Sequence, residues 1–95
     1  MKVRKTKDLV KTLTKKGFYL NSESSHHKFY TLTYEGKKYP IYTYISHSIK
    51  EYSQDLMGEI KKQLKFDSTK NAEKFFDCPM TLEKYINMLK KNKKI

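Results

Sequence analysis

Two adjacent histidines, His26 and His27, follow Ser24-Ser25 and precede Lys28, Phe29 and Tyr30 in a chain of 95 residues with a formal net charge of +11. Imidazole exchanges a proton near neutral pH, and a lysine-rich surface attracts phosphate. Cutting RNA by transesterification takes a base for the 2′-hydroxyl, a cation for the phosphorane charge and an acid for the leaving 5′-oxygen. On an extended strand His26, Lys28 and Tyr30 alternate onto one face, which would set a proton-transfer group, a cation and a phenol side by side. His27 falls on the other face with Phe29 and reads as a partly buried ring held by a hydrogen bond. From chemistry alone, His26 also reads as an exposed strand residue without a role.

Other chemistries find less material. Gly17, Gly36 and Gly58 are too far apart to form a phosphate-cradling loop, which argues against nucleotide hydrolysis. Adjacent histidines on a strand point to opposite faces and the chain has no helical His-x-x-x-His pair, so no metal and no other cofactor is expected. Cys78 is the single cysteine, which rules out a disulfide within the chain and fits a reducing cytoplasm. Lying between Phe76 and Met80 and next to Pro79, it reads as a small apolar contact rather than a nucleophile. The basic start, Met1 to Lys5, is followed by no apolar stretch long enough for a signal core, so neither secretion nor a membrane partner is expected.

The charge is uneven. Seven basic residues against Asp8 give residues 1–16 a charge of +6. Arg4 is the one arginine, and lysine suits phosphate backbones better than bidentate reading of base edges. Lys5, Lys7, Lys11 and Lys15 are the candidate RNA-binding residues, with sequence-tolerant contact expected.

These residues need elements to position them. Thr6 can cap a helix over 6–16 in which Leu9, Val10 and Leu13 form the apolar side and Gly17 the stop. Phe18-Tyr19-Leu20 reads as a short strand and 21–25 as a loop. Alternation over 26–34 and 39–45 around a turn at 35–38 predicts a hairpin, with Pro40 near a strand start or on an edge. Ile41, Thr43 and Ile45 share one face; Tyr42 and Tyr44 share the other, where they either pack under a helix or stack bases, the former being the commoner arrangement. Ser53 caps a helix over 53–64, residues 67–71 mark a polar junction, and Thr81 caps a helix over 81–91 before a fraying lysine-rich end. The fold class is therefore α+β: an α-β-β-β-α core with a three-stranded antiparallel sheet on two helices, plus a C-terminal helical extension.

The order of elements, the phrase Lys15-Lys16-Gly17-Phe18, the Ser25-His26-His27-Lys28 opening of the second strand, and His47-Ser48 followed by Glu51 and the 53–64 helix together resemble the HicA toxin family. The match covers about residues 3–66. The resemblance implies a double-stranded-RNA-binding-domain-like fold for residues 1–66, with 67–95 as an extension packed on the same domain. It implies a metal-independent mRNA interferase, an endoribonuclease of a toxin–antitoxin system, with mRNA as substrate and a HicB-like antitoxin as protein partner. By resemblance the required histidine falls on His26, with His47 as a secondary candidate. Ser24 stands where the family has glycine, and the proline that often precedes the second histidine is missing. The 81–91 helix is an additional surface that an antitoxin could cover. Two further classes remain open: a noncatalytic RNA-binding module, and an interaction protein whose basic face meets an acidic partner.

Overall fold

Leu9 and Leu13 sit one turn apart and are fully buried, and each contributes roughly 1.5–3 kcal/mol of apolar burial to the docking of helix α1 (Thr6–Lys15). Asp8 in the first turn and Lys15 in the last complement the helix dipole. The helix ends where Gly17 adopts φ +87° and accepts a hydrogen bond from Thr33 N–H at 2.8 Å. A Cβ there would come within 3.1 Å of both Thr33 O and a Leu82 methyl, so glycine serves the turn and the close approach of the last helix. The computed structural model describes residues 1–23, 27–46, 48–77 and 79–95, and for 21–23 and 27 the backbone only. His26, His47 and Cys78, on which three of the sequence readings fall, lie outside the described residues.

Thr6 does not cap α1. Lys5 occupies the cap position because a two-residue ladder, β1 (Arg4–Lys5) with β5 (Glu51–Tyr52), keeps the backbone extended up to the helix start. The Thr6 hydroxyl instead donates to Ile49 O at 2.5 Å, and its N–H to Lys50 O at 2.8 Å.

The main sheet is antiparallel in the order β2 (Phe18–Glu23), β3 (His27–Tyr34), β4 (Lys37–Ser46). Strand β2 thus runs through residues expected to be loop. Glu35 and Gly36, both at positive φ, make the two-residue hairpin turn between Tyr34 and Lys37. Pro40 lies on β4, an edge strand, where the register with β3 shifts between Thr31 and Thr33. One face of the sheet carries Phe18, Tyr30, Leu32, Ile41, Thr43 and Ile45 into the core. Helix α2 (Gln54–Gln63), capped by Ser53 as expected, brings Met57 and Ile60 to that core, and Thr43 donates to Gln63 Oε1 at 2.5 Å.

The segment expected to be a polar junction builds helix α3 (Thr69–Phe76), with Ser68 accepting from Asn71 N–H at its start. Helix α4 (Leu82–Lys91) follows, capped by Thr81 as predicted. Both extend the core. Phe75 and Tyr85 stack within 5.1 Å of each other, and both meet Phe18 and Phe66. The buried Tyr85 hydroxyl donates to Leu64 O at 2.6 Å. Tyr85, Ile86, Met88 and Leu89 are all buried, so the apolar side of α4 is already used inside the chain. An additional antitoxin surface on this helix is therefore reduced to its polar side. The lysine-rich end is held at least as far as Lys94, whose N–H bonds Leu89 O at 2.8 Å.

Candidate nucleic-acid interface

The four lysines singled out in the sequence are all exposed. Lys5, Lys11 and Lys15 line a groove shared with Lys2, Arg4 and Asp77, whereas Lys7 turns toward a neighbouring groove with Lys5 and Lys50. Helical spacing does not explain the split, since 7, 11 and 15 are each one turn apart; Lys7 differs in lying at the helix start beside the β1–β5 ladder. The face is not purely cationic, since Asp8, Glu51 and Asp77 border the first groove. Asp77 is largely neutralised. Arg4 Nη1 bonds it at 2.9 Å and Lys2 approaches to 3.2 Å, and the Arg4 hydrogen bond, foremost, holds the Asp77 carboxyl below the usual carboxylate range. Arg4 also bonds Glu73 at 2.9 Å and lies over the Phe76 ring at 5.4 Å, so it ties the N-terminus to α3.

Lys16, part of the same basic run, has a different fate. It is 6% exposed, and its ammonium donates to Phe75 O and to Met80 O, the latter at 2.8 Å, above the face of the Phe75 ring. Charge counting could not separate it from Lys15. The signal that could have done so is its place just before a helix-stopping glycine and a core phenylalanine.

The set expected around His26 is partly rearranged. Tyr30 is 5% exposed on the helix-facing side of the sheet, opposite Leu20 and Thr43 in register, so it is a core residue and not a substrate-positioning phenol. The physical reason is that alternation tells which residues share a face, not which face the helices cover. Lys28 is half-buried at the start of β3, opposite Glu23 and Ile45. One rung outward His27 pairs with Ser46. Beside that rung Ser46 N–H donates to the Tyr52 hydroxyl at 2.8 Å, and the Ser46 and Ser48 hydroxyls are 3.0 Å apart. Burial pushes the Tyr52 phenol up from its ordinary value, against the opposing effect of the Ser46 bond.

The opposite sheet face holds what sequence reading assigned the other way. Phe29, expected to point coreward with His27, stands on the open side with Tyr42 and Tyr44, its ring centroid 6.3 and 5.6 Å from theirs. Tyr42 and Tyr44, expected to lie under a helix, are 52% and 43% exposed. Tyr19 of β2, not singled out in the sequence, is 55% exposed.

Among the described residues no three His, Cys, Asp or Glu side chains are grouped to hold a metal ion. Among the same residues no helix is long and apolar enough to cross a membrane. Comparison of the chain with protein-family models, with curated proteins and with solved structures finds no match.

Proposed function

We propose that this chain is an RNA-cleaving toxin of the HicA kind: a metal-independent endoribonuclease acting on mRNA in the cytoplasm, restrained by a HicB-like antitoxin, on a double-stranded-RNA-binding-domain-like frame. The observation that carries the reading is the groove in which the exposed Lys5, Lys11 and Lys15 stand beside Lys2 and Arg4, a surface suited to a phosphate backbone; the two histidines come from the resemblance. Lys28, half-buried near the start of β3, adds a further cation. In this reading His26 takes the proton of the 2′-hydroxyl, the 2′-oxygen bonds to phosphorus, and the bond from phosphorus to the 5′-oxygen breaks as that oxygen receives a proton from His47. Lys28 offsets the phosphorane charge. Lys5, Lys7, Lys11 and Lys15 hold the phosphate backbone.

A noncatalytic RNA-binding module is the second reading, favoured by the loss of Tyr30 from the expected set, since its ring lies in the core. One assay separates the two. Wild-type and His26→Ala protein are incubated with structured and unstructured RNA, with and without EDTA. Cleavage in both buffers, falling by roughly 10²–10⁴-fold in the variant, is expected. RNA that stays intact yet is retained at low salt leaves the module. Cleavage lost with EDTA removes metal independence, and equal cutting by the variant removes His26.

A further inference from the structure

The basic helix is not the only surface suited to nucleic acid. We propose that the open face of the β2–β3–β4 sheet is a single-stranded RNA platform on which unpaired bases stack against Tyr19, Phe29, Tyr42 and Tyr44. The proposal extends the RNA-directed reading above, on which it rests for the class of ligand, and it is independent of cleavage.

Register sets the rings in two rows across the strands. Tyr19 lies opposite Thr31, which lies opposite Tyr42; Ser22 lies opposite Phe29, which lies opposite Tyr44. Thr31 is only 7% exposed although it is on the open side, as expected of a small side chain flooring the space between two tall rings. Phe29 makes tilted contacts with both Tyr42 and Tyr44, so three of the rings form one continuous surface rather than scattered exposures. Rings of this kind present a π face to any base, which gives sequence-tolerant stacking.

Charge selects the occupant. The shallow groove along the β4 edge is lined by Pro40, Tyr42, Tyr44, Gln63 and Lys65 and includes a cation but no carboxylate. The chain as a whole carries +11. A single strand delivers a base and a phosphate at every step, matching rings beside lysine on a cationic body. A duplex would offer the same phosphates, but its bases are stacked on one another and closed to the rings. A protein partner fits the rings alone and would need to bring its own acidic groups.

The test uses a fluorescent 2′-O-methyl oligouridylate of about 12 nucleotides, a length within the single-strand sites of comparable small folds. It lacks the free 2′-hydroxyl needed for transesterification, so binding is read whether or not the protein cleaves. Full-length wild-type protein is compared with the Tyr42→Leu/Tyr44→Leu and Tyr42→Phe/Tyr44→Phe variants. A duplex of the same chemistry and urea unfolding serve as controls. At roughly 50 mM salt the leucine variant is expected to bind the single strand at least about tenfold more weakly, with the phenylalanine variant near wild type. Duplex affinity and the unfolding midpoint stay unchanged. Wild-type binding retained by the leucine variant overturns the platform, as does equal loss in both variants or an equal loss on the duplex. No single-strand binding by wild type overturns it too and leaves the face to a protein partner. Intact RNA in the cleavage assay together with ring-dependent binding here sinks the nuclease reading alone; cleavage with ring-independent binding sinks the platform alone.

Discussion

Lys15 and Lys16 are neighbours with the same charge and opposite uses. Lys15 is exposed beside the basic groove, whereas Lys16 runs inward to the carbonyls of Phe75 and Met80. Removing the buried ammonium leaves two carbonyls near the core without that donor, and an unsatisfied buried polar group costs about 1–3 kcal/mol. Lys16→Ala should therefore lower the urea midpoint markedly with its slope unchanged, while Lys15→Ala leaves the midpoint nearly untouched and weakens RNA retention. Equal midpoints for the two variants would show that Lys16 does not latch the last two helices. Tyr30 teaches the same lesson from the other side: its place on the Lys28 face was readable, but its burial was not.

At the scale of elements, the strands and most helices were legible because their signals are local. Alternation over 26–34 and 39–45 anticipated the hairpin, Gly17 the stop of α1, and Ser53 and Thr81 the caps of α2 and α4. Helix α3 was missed although Ala72, Phe75 and Phe76 have helical spacing, because five polar residues ahead of them read as a junction. The β1–β5 ladder was invisible, since two-residue pairings between distant segments leave no periodic trace. The helical extension closes the aromatic core around Phe18 and Phe66, so residues 1–66 alone would expose both rings. A fragment ending at Phe66 should lack a cooperative unfolding transition and show poor amide dispersion by NMR. A fragment that unfolds cooperatively like the full chain would make the extension an optional addition.

At the scale of the whole molecule, titration should narrow stability from both ends. Asp77 has a lowered pKa from its Arg4 bond, so its contribution is present above the ordinary carboxylate pKa of about 4 and is lost as pH falls through the lower folded value. The effect is modest, because the side chain is partly exposed and screened. Tyr85 is raised well above its ordinary value by burial, so its contribution is complete below about pH 10 and is lost as pH climbs toward the folded value. Chemical denaturation across pH should show both limbs. Asp77→Asn should flatten the acid limb, and Tyr85→Phe the alkaline limb, with roughly 1–2 kcal/mol lost at neutral pH from the missing bond to Leu64 O. An alkaline limb unchanged in Tyr85→Phe would assign it to other groups.

By itself the sequence determined the α+β class, the hairpin faces, the basic pole and the caps of α2 and α4, all of which follow from spacing along a few consecutive residues. Only the tertiary structure decided which sheet face the helices cover. That choice put Tyr30 in the core and Phe29, Tyr42 and Tyr44 outside, and it separated the buried Lys16 from the exposed Lys15. The reason is physical: a strand's alternation is symmetric between its two faces, and the symmetry is broken by side chains from all four helices that reach one side of the sheet.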